Sequence, residues 1–336
     1  MTWSSMKQIS FSDAEFAAKR KVTRRERVLS ELDAAVPWSA VAAVIEPHYP
    51  KGIGAGRPPI GLERMLRMYV AQQVLGLSDE GIEDAIYDSQ SVRGFVGVDL
   101  AAESAPDATT LLKFRRLLEE AKLTKELFKA INRRLADKGL LLRNGTIVDA
   151  TLIAAAPSTK NKDKQRNPEM HQSKKGNQWF FGMKAHIGVD AESGLVHSVV
   201  GTAGNVADVT QVDQLLHGEE QCVFADAGYT GAEKREAVAD KDLDWYIARE
   251  RGVITKSKQG GAYRKALEAV ERAKASARAL VEHPFHVIKN LFRHRKVRYR
   301  GIEKNTAQLY TLFGLANLVL SRRKLSPPRG VTASAA

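Results

Sequence analysis

Three acidic residues occupy positions where folding alone gives little reason for a carboxylate. Asp149 lies inside the apolar run "TIVDATLI", Asp226 ends the apolar segment in "VFADAGY", and Glu282 is the single acid among ten basic or histidine residues between positions 276 and 301. An acid inside a strand is costly to bury unless a partner compensates its charge. Carboxylate oxygens are the ligands that hard divalent cations prefer. Two such cations about 3.5–4 Å apart can activate water and stabilise a leaving oxygen in phosphodiester chemistry. The three acids are therefore candidate catalytic residues and metal ligands.

Each acid also has a structural interpretation when it is taken singly. Asp149 could be a hydrogen-bonded turn partner and Asp226 a cap, while Glu282 could pair with Arg278 one helical turn earlier. Such a helical pair contributes only about 0.3–0.5 kcal/mol. The catalytic interpretation needs a fold that brings all three together.

The charge distribution indicates a polyanionic partner. The chain of 336 residues has a formal net charge of +13, and such an excess is typical of nucleic-acid binding. The cations are concentrated in residues 19–27, 160–175 and 289–300. Three separate basic clusters favour an extended anion such as double-stranded DNA over a small acidic substrate.

Several classes of protein are disfavoured by the sequence. No apolar run approaches the roughly 18 residues that a membrane-spanning helix needs, and the first residues lack the apolar core of a secretory signal. Cys222 is the only cysteine, which rules out an internal disulfide or a cysteine-based zinc site. We expect a cytoplasmic protein.

Residues 1–138 are predicted to form a helical domain. Ser78, Asp107 and Thr124 each precede an amphipathic segment and are predicted helix N-caps. The short helices with basic faces fit a DNA-binding module of helix-turn-helix type and a plain scaffold equally well.

Residues 139–324 are predicted to form an α/β domain. Asn144-Gly145 is typical of a hairpin turn, a basic polar loop is expected at 155–178, and alternating apolar residues predict a strand at 179–189. The element order β-β-β-α-β-α-β-α indicates a mixed sheet with helices on both faces. Pro284 predicts a kink or a new helix start near Glu282 within a long helical region at about 262–293. Residues 325–336 are expected to be a disordered tail.

These residues resemble the DDE transposases of bacterial insertion sequences, specifically the IS-five family. That family carries an aspartate in its first strand, a second in "DAGYTG", and a Tyr-x2-Arg-x3-Glu-x6-Lys block. Arg278, Glu282 and Lys289 match the block in type and spacing, whereas Ala275 stands at the tyrosine position.

The resemblance implies a ribonuclease-H-like catalytic domain that uses Mg²⁺ or Mn²⁺, with two ions in each active site. It also implies binding to terminal inverted repeats, 3′-end cleavage, joining to target DNA, assembly into a homo-oligomer on DNA, and association with the bacterial nucleoid. Arg278 and Lys289 are expected to hold phosphates of the strand being cut, and Lys184 and His186 to line the site. The further candidate DNA contacts are His286, Arg293, Arg295, Lys296, Lys19, Arg20, Arg24 and Arg25.

Two alternatives to the transposase remain open: a structure-specific nuclease with the same three acids, and a catalytically inactive DNA-binding regulator. Trp179 could stack on a flipped base, but its alternation with Phe181 and Met183 favours a place in the core.

Overall fold

The computed structural model describes residues 16, 18–52, 58–160, 162, 164–249 and 261–325. The chain begins with helices and continues into a sheet. The helices before the sheet are α1 (Arg24–Ala35), α2 (Trp38–Ile45), α3 (Leu62–Leu75), α4 (Asp79–Asp88), α5 (Gln90–Val96), α6 (Ala108–Glu120) and α7 (Leu123–Asp137).

Side-chain caps fix the starts of several of these helices. Thr23 and Glu26 form a reciprocal capping box at α1, which satisfies two of the backbone donors that a helix start leaves free. Ser78 and Asp107 cap α4 and α6 as predicted. The prediction for Thr124 is wrong, because α7 already begins at Leu123 and is preceded by Lys122 in the left-handed conformation.

The sheet has six strands in the part of the chain that the structure describes. They are β1 (Gly145–Ala154), β2 (His171–Lys175), β3 (Gln178–Asp190), β4 (Val196–Ala203), β5 (Cys222–Ala225) and β6 (Asp244–Ile247). The order is β2-β3-β1-β5-β6, and β4 also pairs with β3. β3 is antiparallel to β1, β2 and β4, whereas β5 is parallel to β1 and β6. β1 is therefore the central strand, and the mixed α/β fold is confirmed.

Two local predictions differ from the structure. Residues 140–143 form no strand, so Asn144-Gly145 leads into β1 without a hairpin. The backbone there is held by Asp190 at the end of β3, whose carboxylate accepts hydrogen bonds from the N–H groups of Leu142 (2.6 Å) and Arg143 (2.8 Å). The expected loop at 155–178 contains β2, because β3 extends beyond β1 and its free segment pairs with residues 171–175.

Helices cover both faces of the sheet. Between β4 and β5 the chain forms the short helix α8 (Val212–Leu215), and α9 (Glu236–Ala239) precedes β6. The C-terminal helices are α10 (Gly261–Arg278), α11 (Glu282–His286) and α12 (Ile302–Leu325). α12 packs on β4, on α7 and on α1. One hydrophobic core therefore runs from the N-terminal helices to the sheet without a break near residue 138.

The helical segment around Glu282 is irregular. A 3-10 turn (Ala279–Val281) joins α10 to α11, and a π-helical turn (Val287–Leu291) follows α11. Pro284 has no N–H to donate to the preceding turn, and the predicted new helix start near Glu282 agrees with the beginning of α11. Among the described residues, no single helix has the length and apolar character to cross a membrane, and one pair bent by 73° (Arg24–Ala35 with Trp38–His48) passes that test jointly.

Candidate active site

Asp149 and Asp226 lie side by side on neighbouring strands. Asp149 is in the middle of β1, opposite Ile187 of β3. In the parallel β1–β5 pair, Ile147 aligns with Phe224. The same register carried two residues further sets Asp149 beside Asp226, which follows the last residue of β5. Neighbouring strands are about 4.8 Å apart, so the two carboxylates belong to one site at the centre of the sheet.

Local hydrogen bonds hold both aspartates in place. One carboxylate oxygen of Asp149 accepts from the N–H of Ala150 at 2.7 Å. Asp226 accepts from the N–H of Gly228 at 2.8 Å and caps the short 3-10 turn Ala227–Tyr229. The glycine permits this close approach, since a Cβ at Gly228 would lie 3.0 Å from the Asp226 carboxylate.

Glu282 reaches the same face of the sheet from the helical segment above it. Val281, Phe285 and Ile288 are buried in the core cluster that contains Ile147 and Ile187. Side chains alternate along a strand, so Asp149 shares its face with these two isoleucines. Glu282 itself is exposed, because the neighbouring apolar side chains pack in the core and its own side chain does not.

The electrostatics of Asp149 connect the three acids. Burial, together with the negative charges of Asp226 and Glu282, raises the pKa of Asp149 to about 6. The N–H of Ala150 and the positive charge of Arg278 act in the opposite direction. Burial and like charges both favour the protonated form of a carboxyl group. The structure therefore brings Asp149, Asp226, Glu282 and Arg278 into one electrostatic cluster with more negative than positive charge.

Arg278 and Lys289 differ in their surroundings. Arg278 ends α10, and its buried Nε has no hydrogen-bond partner among the described residues. Lys289 is half-buried, and its ammonium donates to Thr151 Oγ1 at 2.6 Å and to the carbonyl of Leu152 at 2.8 Å. Lys289 thus ties the π-helical turn to β1 two residues beyond Asp149.

Lys184 and His186 do not join this cluster. They alternate with Ile187 on β3 and so lie on the opposite face of the sheet from Asp149. Lys184 donates to the carboxylate of Asp208 and to the carbonyl of Val206, both at 2.8 Å. His186 is fully buried, with Nε2 2.8 Å from Thr202 Oγ1. Burial lowers the pKa of His186 to about 4, so this ring is neutral at physiological pH.

The other candidate DNA contacts fall into two groups. The group near the site begins at the last residue of α11 and has exposed side chains; it consists of His286, Arg293, Arg295 and Lys296. Lys296 forms a backbone bridge with Ala154 at the end of β1, which keeps this part of the chain beside the strand that carries Asp149. The second group lies at or before the start of α1, in the helical part of the chain, and consists of Lys19, Arg20, Arg24 and Arg25.

The structure contradicts the expected place of Trp179 in the core. Its indole is 63% exposed rather than part of the core. It lies on the segment of β3 that pairs with β2, opposite Lys174, whereas β1 pairs with β3 only from Gly182 onward. Alternation alone could not show that this end of the strand extends past the core.

Sequence reasoning missed Tyr229. This side chain is fully buried, and its hydroxyl has no hydrogen-bond partner in the described structure. Burial and the negative charges of Asp208, Asp149 and Asp226 raise its pKa. The motif "DAGY" contained the signal, since a tyrosine three residues after a candidate metal ligand lies within reach of that ligand's surroundings.

The chemistry of the donor set fits a divalent cation, although the side-chain positions are not those of a closed site. All three acids offer carboxylate oxygens. Burial, and to a smaller extent the charges of Asp226 and Glu282, raise the pKa of Asp149, and a bound cation would offset both effects. Among the described residues, no three acidic, histidine or cysteine side chains are grouped closely enough to hold a metal ion as they stand. Of the three acids, Glu282 is the exposed one, and Asp149 and Asp226 are partly buried.

Comparison with known families agrees with this arrangement. Residues 141–318, more than half of the chain, match the family model described as "Transposase DDE domain". Residues 16–117 match a second model, described as "Transposase domain (DUF772)". The chain belongs to the DDE transposase family, whose catalytic domain is ribonuclease-H-like. The two matches indicate an insertion-sequence transposase, an enzyme that cleaves and joins DNA, and the family implies dependence on a divalent metal.

Proposed function

We propose that this chain is a transposase of the IS-five family. It binds the terminal inverted repeats of its element, cleaves the DNA at the element ends and joins the 3′ ends to target DNA. The observation that supports the proposal most directly is that the charges of Asp226, Glu282 and Arg278 all act on partly buried Asp149, which lies on the central strand β1. The Arg278, Glu282 and Lys289 spacing supports the assignment to this family.

In this proposal Asp149, Asp226 and Glu282 are the metal ligands, and the metal is Mg²⁺ or Mn²⁺ with two ions per site. When bound, these ions supply a water of lowered pKa and positive charge beside the leaving oxygen. The hydrogen bonds of Asp149 and Asp226 orient these two carboxylates before the reaction, so they need little further reorientation during it.

The chain's own cations position the DNA. Arg278 lies close enough to Asp149 for its positive charge to act on that carboxyl group, and a guanidinium suits a phosphate oxygen well. The exposed group of His286, Arg293, Arg295 and Lys296 extends this positive surface along the end of β1. Lys289 acts differently, since its bonds to β1 hold the strand of Asp149 against the segment of Glu282.

End recognition is assigned to the N-terminal region, residues 1–138, with Lys19, Arg20, Arg24 and Arg25 as backbone contacts. Of these, Lys19 is paired with Glu26 at 2.7 Å, while the three arginines are exposed. We further propose that the protein acts as a homo-oligomer on DNA and is associated with the nucleoid in the bacterial cytoplasm.

The test is to replace each of the three acids by alanine and to assay cleavage and joining of an inverted-repeat oligonucleotide with Mg²⁺. Each single variant should lose both reactions and retain repeat binding. A double variant should be no worse than a single one, because ligands that act as a unit are not additive. Asp137→Ala, which removes an exposed carboxylate at the end of α7, is the matched control.

The outcomes separate the alternatives. Clear cleavage by a single variant removes that residue from the catalytic set. Cleavage without joining by the wild-type protein indicates a nuclease, and repeat binding without either reaction indicates an inactive regulator.

A further inference from the structure

A basic cleft lies away from the three acids, between α7 and the outer edge of β4. Its volume is about 860 Å³. Phe128 and Tyr310 line the cleft, as do all of residues 197–200 of β4. Because β4 pairs only with β3 among the described strands, the other edge of β4 faces this cleft.

The wall of the cleft is a row of cations. Lys125, Lys129 and Arg133 follow one another at intervals of four residues along α7, and Arg143 faces them from the segment before β1. Residues four apart lie on one face of a helix, and eight residues span about 12 Å. The row is therefore a straight line of positive charge beside a groove.

These cations are only weakly neutralised. In the part of the chain that the structure describes, no carboxylate lines the cleft. Lys129 pairs with Glu126 at 2.8 Å, but both side chains are about half exposed, and Arg143 approaches Glu219 only to 3.9 Å. Exposed pairs of this kind interact weakly in water. A bare helix face would be solvated on all sides, whereas here the cations border a concave surface that excludes carboxylates.

The cleft has a defined position relative to the candidate active site. Asp149 of β1 aligns with Ile187 of β3, and Ile187 aligns with Val199 of β4. Two inter-strand spacings separate the backbone of Asp149 from that of Val199, a distance of about 10 Å. One DNA strand advances about 3.4 Å per phosphate along the duplex axis, so this distance corresponds to a few nucleotides of a duplex that runs from the acids toward β4.

We propose that this cleft binds the sugar–phosphate backbone of duplex DNA a few nucleotides from the bond being cut. The inference rests on the proposed function, which places DNA at the acids. Charge complementarity selects this occupant, because a row of about 12 Å is long enough for its cations to contact successive phosphates of one strand. The competing occupant is an acidic surface of a second copy of the chain.

The experiment measures the salt dependence of DNA binding by the full-length protein in buffer with EDTA, where no cleavage interferes. The variant combines Lys125→Gln, Lys129→Gln and Arg133→Gln. The matched control combines Lys113→Gln, Arg116→Gln and Arg134→Gln, which removes three exposed cations outside the cleft.

Each phosphate contact contributes a slope of about −0.9 in a plot of log affinity against log salt concentration. We expect the slope of the cleft variant to become shallower by about 2 to 3, and that of the control by less than about 1. Equal changes in both variants, or a wild-type slope in the cleft variant, overturn the proposal. A changed sedimentation coefficient with an unchanged slope assigns the cleft to contact between copies and also overturns it.

If the triple variant does not fold, Lys129→Gln alone should reduce the slope by about 1. Cleavage by the wild-type protein with Mg²⁺ is measured separately. If the cleft variant has the wild-type slope and the wild-type protein cleaves DNA normally, only the cleft proposal is rejected. If the cleft variant has a shallower slope but the wild-type protein does not cleave DNA, the proposed function is rejected and the cleft remains a DNA-binding site.

Discussion

Replacing Lys289 by methionine should both destabilise the protein and slow DNA cleavage. The ammonium group is half-buried and donates to Thr151 Oγ1 and to the carbonyl of Leu152 on β1. Methionine keeps the unbranched apolar stem, so the substitution removes mainly these hydrogen bonds. A lysine on the solvated face of a helix would show neither effect.

The magnitude follows from the two bonds. A hydrogen bond from a charged donor contributes about 1.5–3 kcal/mol, but both bonds use one ammonium group whose removal from water offsets part of the gain. We expect a net loss of about 2 kcal/mol in the free energy of unfolding. A loss of 1 kcal/mol lowers the Tm of a domain of 150–250 residues by about 2–4 °C, so the Tm of this longer chain should fall by several degrees.

The effect on cleavage follows from the position of Thr151. It lies two residues beyond Asp149 on the same face of β1, and Lys289 lies two helical turns after Glu282. Without the hydrogen bonds of Lys289, β1 with Asp149 is held less firmly against the helical segment that carries Glu282. We expect cleavage to slow by at least about tenfold, which is ~1.4 kcal/mol of activation free energy.

The assays are urea denaturation followed by circular dichroism and cleavage of an inverted-repeat oligonucleotide. Lys304→Met, which alters an exposed lysine near the start of α12, is the control and should behave as wild type. Normal stability with slow cleavage would refute the tie and favour a phosphate contact. Normal stability with normal cleavage would remove Lys289 from the mechanism.

Two further substitutions test the electrostatics of buried groups. The carboxylate of Asp190 accepts four backbone hydrogen bonds, which lower its pKa from the ordinary value of 3.8. Its contribution to stability is therefore present above about pH 4 and is lost as the pH falls through the lowered pKa. Asp190→Asn should cost about 3 kcal/mol at pH 7 and progressively less below pH 4, and a deficit that does not change with pH in denaturation curves would contradict this. Tyr229→Phe removes a fully buried hydroxyl that has no hydrogen-bond partner among the described residues, so the free energy of unfolding should be unchanged or about 1 kcal/mol higher. A clear loss of stability would show that the hydroxyl is hydrogen-bonded.

Part of the fold could be predicted from local patterns because the forces involved are local. The caps at Ser78 and Asp107 depend on a side chain and a backbone N–H three residues apart. The irregular helix around Pro284 follows from the missing N–H of proline. The α/β class follows from the change of apolar period after residue 139.

The errors arose where long-range pairing decides the outcome. Asn144-Gly145 has the local features of a hairpin turn, but the backbone at Leu142 and Arg143 donates instead to Asp190, almost fifty residues later. Trp179 alternates like a core residue, yet it lies beyond the end of the neighbouring strand β1. β2 exists because β3 is longer than its partner and leaves backbone groups to be paired.

The sequence by itself determined which residues are candidates for chemistry. Residue types alone identify three carboxylates in apolar or basic surroundings, with Arg278 and Lys289 at defined spacings. An acid in an apolar segment is costly to bury, and this can be recognised from the neighbouring residues in the sequence. Only the tertiary structure decided how these residues are grouped. Strand register sets Asp149 beside Asp226. Because side chains alternate along β3, Lys184 and His186 lie on the opposite face of the sheet. Lys289 donates hydrogen bonds to β1. The physical reason is that register and facing depend on pairings between distant segments, and a shift of one residue in a strand reverses every side chain on it.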